Sequence, residues 1–481
     1  MIPRQLRRIY VSRALLSAAA VLAFISVASA QIRPSLPLDS PFAGGVPEGA
    51  LVKESLPLTV ADVIERALRH NLGVLMSEQG TERASSARAV ALADLLPNVT
   101  ASATAARRKN NLEAFGFPLD NAPSGTTFPK VVGPFNVYEG RVFLSQSIFD
   151  LNAINEVKSE SHNLTAARLS YRSARDFVVL VAANAYLQTM AADARLTSAK
   201  AQLETADALH RQAESLRQSG IVAGVDVIRA EVRLTTERRR TTAAENDFEK
   251  SKLQLARVIG LPIGQTFTLS ADLPNVPTPD VTFDDALERA YKQRPDYLAA
   301  LEKVRAAEAS RRAVVGEGLP SVKVRADYGT IGLSWNSLLP TFNVIGEVAV
   351  PIFEGGRVQG RLTEADAELR ERRAEAEDMK TEVYYDVRSA FLDLRSTEEE
   401  LKVSTRAREL AALQLTQSRD RFAAGVVSNI EVVQAQEAVA LASEQYITAQ
   451  YGFNLAKAML ARSLGSAEDL ARSVLGIGNK R

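Results

Sequence analysis

Hydrophobic and polar positions along this chain follow two periods, and the same succession of periods occurs twice. A helical period runs from Thr59 to Leu96, where Pro97 stops it, and another from Thr282 to Leu319, where Pro320 does the same. Thr59 and Thr282 stand where an N-cap belongs, each with an acid three residues on, Asp62 and Asp285. After each proline the period drops to two. Val322, Val324, Ala326 and Tyr328 alternate with Lys323, Arg325 and Asp327, and Val99-Thr100-Ala101-Ser102-Ala103-Thr104 alternates with smaller side chains. A second alternating segment follows in each half. Tyr138, Val142, Leu144 and Ile148 oppose Glu139, Arg141, Ser145 and Ser147, with Phe143 breaking the polar face; Phe342, Val344, Gly346, Val348 and Val350 oppose Asn343 and Glu347. The helical period then returns and persists. From Ala153 to Gln218 and from Arg357 to Ala423 there is no proline, and Gly360 is the one glycine. Runs of about 66 residues make helices near 100 Å long, several times the ordinary length. Val387, Phe391, Leu394 and Leu401 recur at heptad-like spacing, a narrow seam that packs on neighbouring helices.

The recurrence is visible in the residues themselves. Leu58-Thr59-Val60-Ala61-Asp62-Val63-Ile64-Glu65-Arg66-Ala67 returns as Val281-Thr282-Phe283-Asp284-Asp285-Ala286-Leu287-Glu288-Arg289-Ala290 at an offset of 223, which still holds at Leu96-Pro97 against Leu319-Pro320. Ile148-Phe149 matches Ile352-Phe353 at 204, Ala185-Tyr186-Leu187 matches Ala390-Phe391-Leu392 at 205, and Gly220-Ile221-Val222 matches Gly425-Val426-Val427 at 205. Ordered matches at near-constant offsets imply an internal duplication. The drop in offset places 19 extra residues of the first copy between Arg107 and Pro134.

Strands of about 8 to 12 residues suit a tilted barrel strand, with one face for lipid and one for water. Four strands cannot close a barrel, and open edges cannot sit in hydrocarbon. The chain is therefore expected to share one barrel among symmetric copies.

Composition narrows the possibilities. The 58 Lys and Arg balance 57 Asp and Glu, leaving no basic excess for a phosphate backbone, so nucleic acid is not an expected partner. With no cysteine, thiolate catalysis, disulfides, Cys-based metal sites and an N-terminal lipid-bearing Cys are excluded. Residues 1–30 read as a signal peptide: Arg4, Arg7, Arg8 and Arg13 precede an apolar run from Ala14 to Val27, with cleavage expected between Ala30 and Gln31. That run is too short to span a bilayer comfortably, and no other stretch approaches eighteen apolar residues, so no transmembrane helix is expected. Residues 31–57, with five prolines, read as an extended or disordered arm with little to bury.

The chain resembles the TolC family of outer-membrane efflux channels. The resemblance lies in the Leu-Thr motif at Leu58, in Leu95-Leu96-Pro97, in Pro351 to Arg357 (Pro-Ile-Phe-Glu-Gly-Gly-Arg) and in Arg421 to Gln436. It implies a mainly α fold with a membrane β part. Long antiparallel helical hairpins would form an α-barrel tunnel, and four strands per chain would enter a twelve-stranded β-barrel shared by a homotrimer. It implies a passive duct, not an enzyme, without cofactor or metal, set in outer-membrane lipid and reaching into the periplasm. There it would dock on a periplasmic adaptor and an inner-membrane transporter of the RND or ABC type. The expected division is a first repeat at 58–258, an equatorial linker at 259–280, a second repeat at 281–465 and a tail at 466–481. The first copy lacks the Pro and Gly-Gly of the second at its strand exit, which implies a different start to its long helix.

By the same resemblance the turns of the two long hairpins form the periplasmic entrance and touch the adaptor: Gly220, Val222, Ala223, Gly224 and Asp226, with Gly425, Val426, Val427, Ser428 and Glu431. Asp226 and Glu431 have two readings, as acids lining the mouth, or as helix N-terminal residues, with Ser428 and Glu431 forming a capping box. The Pro-rich connection between Arg107 and Pro134 is expected outside the cell. His70, His162 and His210 lie far apart and read as solvated helix residues, and Gly355-Gly356 reads as a strand-to-helix turn. A periplasmic adaptor, the competing class, also carries a long hairpin but needs no duplicated strands.

Overall fold

The computed structural model describes residues 40–115, 129–270, 282–424, 426–427, 429–465 and 467. The expected signal cleavage at Ala30 and Gln31 lies outside them, as do Gly425 and Ser428. The elements are β1 (Leu56–Leu58), α1 (Val60–His70), α2 (Leu72–Ala93), β2 (Asn98–Asn111), β3 (Val131–Phe149), α3 (Leu151–Gln218), α4 (Gly224–Val258), β4 (Phe267–Leu269), α5 (Phe283–Gln293), α6 (Pro295–Glu317), β5 (Ser321–Gly332), β6 (Leu339–Ala349), α7 (Arg357–Ala423) and α8 (Asn429–Ser463). From α1 to α4 and from α5 to α8 the order is the same: two helices, a hairpin, then a long and a shorter helix.

The helix expected to run unbroken to Leu96 and to Leu319 is two helices in each half. The breaks fall at Asn71 and Arg294, each with extended backbone, ψ 130 and ψ 116. Asn71 ends α1 and starts α2 by accepting the Gly73 N–H at 2.9 Å, while its amide donates to the Phe42 and Val258 carbonyls. At the corresponding place Pro295 opens α6, which puts Arg294 in extended backbone. Thr59 forms a reciprocal capping box with Asp62, and the Thr282 hydroxyl accepts the Asp285 N–H.

The long helices span 68 and 67 residues, about 100 Å each. Two small cores belt them at the level of the helix breaks. The first gathers Val63, Ala67, Val178, Ala182, Leu255 and Ile259; the second gathers Ala286, Ala290, Val383, Val387, Leu460 and Leu464. Each residue of the first corresponds to one of the second at an offset of 223 or 205. Along the seam, Val387 and Leu394 are buried and Phe391 and Leu401 half-buried.

Residues 46–55 of the arm are exposed, as expected, but the segments on either side of them pack on the rest of the chain. Within 40–58, Pro41–Ala43 makes one 3-10 turn, Phe42 meets Phe177 edge-on at 4.9 Å, and β1 pairs in parallel with β4 of the linker. Gly73 gives Phe42 its room, since a Cβ there would fall 2.2 Å from the ring. The α3 helix carries an 18-residue stretch apolar enough by composition to cross a membrane, contrary to expectation, but 61% of it is buried inside the molecule.

The four long strands form one antiparallel sheet in the order β2-β3-β5-β6. Asn98 sits opposite Ser145, and Ser321 opposite Ala349, so the second hairpin has the register of the first displaced by the sequence offsets 223 and 204. The first-copy strands, 14 and 19 residues, exceed the expected 8 to 12, because part of the extra sequence lengthens the hairpin.

Candidate functional site

The sheet separates two chemistries. One face carries Val99, Ala101, Ala103, Leu144, Val142, Tyr138, Val322, Val324, Ala326, Tyr328, Val348, Val344 and Phe342, all in phase by the observed register. Phe342 is 76% and Val344 67% exposed. The other face carries Thr100, Ser102, Thr104, Glu139, Arg141, Lys323, Arg325, Asp327, Asn343 and Glu347, interrupted by Phe143 and Ile345. Arg141 is the hub of this polar face: it holds Glu139 at 2.8 Å, Asp327, and the Thr341 hydroxyl at 2.8 Å, spanning three strands. Arg325 pairs with Glu347 at 3.0 Å. At the edge of the apolar band farther from the helices, Tyr138 stacks on Trp335 with centroids 4.6 Å apart, an arrangement suited to a membrane–water boundary. An apolar band on one face and ion-paired side chains on the other fit lipid on one side and water on the other.

Below the strands the two halves enter their long helices differently. Asp150 caps α3 through the Asn152 and Ala153 N–H groups, whereas α7 starts from Gly355 and Gly356 with φ 62 and 83, a turn that favours glycine.

At the far end, α3 closes in a Schellman turn: Gly220 has φ 72, its N–H donates to Arg217 and the Ile221 N–H donates to Leu216 at 2.9 Å. The Val426 N–H donates to Arg421 at 2.9 Å, the equivalent bond at the end of α7. Ala223, without a side-chain cap, precedes α4, which begins at Gly224. Asp226 lies in the first turn, where its charge complements the helix N-terminus, and pairs with Arg229 at 3.2 Å. Glu431, in the first turn of α8, reaches across to Arg421 at 2.8 Å and Ser418 at 3.4 Å. Asp226 is thus ion-paired within the start of α4, and Glu431 across the turn between α7 and α8. Val222 and Val427 are half-buried; Val426 is 68% and Ile221 70% exposed.

Three ionic clusters carry no motif that a sequence search would flag. Buried Arg233 ties the hairpins together, reaching Glu237 and Glu437 at 2.9 Å, and Glu237 also takes Arg240 at 3.0 Å. Arg294, at the α5–α6 break, grips Asp296 (2.7 and 3.1 Å) and Asp386 (2.8 Å) beside a cleft of about 100 Å³. Burial would raise the Asp296 carboxyl, but the hydrogen bonds and charge of Arg294 outweigh it and hold the group below the usual range. Burial beside Glu160 pushes Glu156 up. The third cluster is the Arg141 hub. The three histidines, expected to be solvated, are half-buried, and two of them face acids. His70 Nδ1 lies 3.0 Å from Glu48 and His162 Nδ1 2.7 Å from Glu302, because each faces an acid on a packed neighbouring segment. Among the described residues no group of His, Cys, Asp and Glu is arranged to hold a metal.

Comparison with known proteins agrees with this architecture. The sequence profile described as "Outer membrane efflux protein" matches residues 63–261 and 286–466. The pyoverdine export outer membrane protein OpmQ of Pseudomonas putida is 22% identical over 408 residues, covering 84% of this chain and 85% of that protein. Outer membrane protein TolC of Escherichia coli is 22% identical over 362 residues, 72% of each. The crystal structure of the Campylobacter jejuni CmeC outer membrane channel superposes with a TM-score of 0.72 at 17% identity, covering 86% of this chain and 89% of that one. A CusC structure superposes at 0.71 with 20% identity, covering 91% and 99%. The chain belongs to the outer membrane efflux protein family, the channels by which efflux systems cross the outer membrane.

Proposed function

We propose that three copies of this chain, each the product of an internal duplication, close one twelve-stranded barrel above a continuous helical tunnel and act as a passive duct without a catalytic centre. The sheet carries this reading. Among the described residues its strands β2 and β6 each pair on one side only, leaving two open edges; its lipid-suited face is exposed, and the attached helices are of periplasmic length. The duct docks through its hairpin ends on a periplasmic adaptor, and through it on an inner-membrane transporter of the RND or ABC type that supplies the energy. Gly220, Val222, Ala223, Gly224, Asp226, Gly425, Val426, Val427, Ser428 and Glu431 form that end and its entrance. The exposed apolar side chains of Ile221 and Val426 suit a protein contact there. Glu431 acts chiefly by holding the turn between α7 and α8 through Arg421, and Asp226 by supporting the start of α4 together with Arg229.

Reconstitution in a planar bilayer tests the duct: discrete conductance steps are expected, and their absence from correctly assembled protein contradicts it. Glu431→Gln is expected to lower thermal stability and leave cation selectivity unchanged. Altered selectivity at unchanged stability would return Glu431 to the role of a mouth-lining acid.

A further inference from the structure

The β2–β3 hairpin outruns the β5–β6 hairpin, and its extra length begins at a run of three cations. Arg107, Arg108 and Lys109 are all exposed, and none has an acid partner among the described residues. Glu113, four residues on, is held by Lys130 at 3.0 Å. At the offset of 223 the second copy has Thr330, Ile331 and Gly332, and no charge follows as far as Leu339. The duplication therefore does not account for the run.

Two of the three cations stand on the lipid-suited face. Ala105 lies opposite Tyr138 and Arg107 opposite Asn136, so Arg107 continues the column of Val99, Ala101, Ala103 and Ala105. The register shift between Arg108 and Asn110 puts the extra residue on β3, near Gly133 with φ 109, while β2 stays extended to Asn111. By alternation Lys109 follows in the same column, and Arg108 faces the polar side. From Ile148 to Tyr138 β3 runs ten residues, which at about 3.3 Å each and a tilt of about 40° cover about 25 Å, the height of a hydrocarbon band. Tyr138 and Trp335 mark the outer boundary of that band, since the long helices leave from its other side. Arg107 and Lys109 lie two and four residues past the Tyr138 rung, about 5 and 10 Å beyond the boundary, where a headgroup layer roughly 5–7 Å deep begins. Their long stems let the charges settle within it.

We propose that Arg107 and Lys109 bind phosphate groups of the outer-leaflet lipid. The proposal rests on the barrel reading above and names the lipid chemistry at one edge of it. Arg offers a planar fork that matches a phosphate bidentately, and Lys a mobile point charge. Below them the column is made of small side chains, Ala105, Ala103 and Ala101, beside Gly140, where even a Cβ would meet nothing within 4 Å. Acyl chains can lie along that strip while the phosphates meet the cations. A free anion would gain nothing from the strip, which favours a phosphorylated lipid.

The test uses the delipidated full chain in neutral detergent, titrated with a diphosphorylated lipid A or with the same lipid stripped of both phosphates, and bound lipid is counted by native mass. Wild type is expected to retain the diphosphorylated form and lose the stripped one. Each cation at an anionic lipid surface strengthens binding roughly fivefold, so R107Q with K109Q should weaken retention roughly 25-fold. R107K with K109R keeps both charges and should retain most of the binding, and R108Q, on the other face, should stay near wild type. Unchanged retention in the R107Q and K109Q double variant overturns the proposal. An equal loss in R108Q overturns the placement, and displacement of the lipid by inorganic phosphate overturns its assignment to lipid. Trp335, the single tryptophan of the chain, reports on the barrel reading separately: in vesicles of bromine-labelled phosphatidylcholine its fluorescence should be quenched. Lack of quenching in assembled protein contradicts the barrel reading, whereas quenching with unchanged retention in the double variant contradicts the phosphate site alone.

Discussion

Replacing Arg294 by methionine removes the side chain that joins α6 to α7. The guanidinium is buried and makes three charged hydrogen bonds, two to Asp296 and one to Asp386. Methionine keeps most of the apolar stem but leaves two carboxylates without a counter-charge. Taking one partner from a buried ion cluster costs about 3–5 kcal/mol; with Asp296 22% and Asp386 38% exposed, water recovers part of that, leaving about 2 kcal/mol. For a chain this long that is a fall in melting temperature on the order of 4 °C, followed by circular dichroism in detergent at equal protomer concentration. Arg294→Lys should recover only part, because an ammonium does not reproduce the fork. Combining Arg294→Met with Asp296→Asn and Asp386→Asn should restore most of the loss, since no unpaired charge remains. If the triple variant melts as low as the single one, charge pairing is not what holds the break. The pH dependence has a definite sign. Because the folded-state pKa of Asp296 is lowered, its stabilisation is present above about pH 4, the unfolded value, and disappears as pH falls through the lowered value. The triple variant should therefore lose less stability than wild type as the pH falls below about 4.

Thr59→Ala removes the α1 capping box and should cost about 1 kcal/mol, whereas Thr59→Ser should be close to neutral; equal loss in both would implicate packing instead. Leu255→Ala, at a fully buried position in the first core, should cost about 3 kcal/mol by thermal unfolding, and a loss under 1 would mean that the core collapses around the gap. Gly465→Ala should destabilise the end of α8, because Gly465 has φ 74 and a Cβ there falls 2.6 Å from Arg294 N; unchanged melting would contradict that packing. Arg233→Met should loosen the two hairpins from each other, read as faster protease cleavage near residues 219–223, with cleavage at the wild-type rate as the contrary result.

The long helices and the four strands of the sheet were legible because each keeps largely to one period: two runs without proline beside short alternating segments, broken on the polar face at Phe143 and Ile345. The register of the second hairpin was implicit in the offsets 223 and 204. Local chemistry was harder to read. The break at Asn71 depends on a side chain bonding Phe42 and Val258, the latter 187 residues away, and no local pattern announces it. Its counterpart was within reach, since Pro295 after Arg294 and before Asp296 signals an extended residue and a new helix. The arm read as idle because its prolines forbid a helix, yet Phe42 and Leu56 each find an apolar partner surface across the linker and α3. His70 and His162 read as solvated because the acids they meet, Glu48 and Glu302, are distant in sequence. At the hairpin ends the Gly positions and the charged first turns were visible, while the Arg421–Glu431 bridge across the turn appears only in three dimensions.

The central claim is a shared conduit, and a cryo-electron microscopy map of the detergent-solubilised protein tests it most directly. Three chains around one axis are predicted, with twelve strands in a single barrel and an unbroken lumen running into the helical tunnel. A map without three-fold symmetry, or with each chain's four strands in a separate sheet, would contradict it.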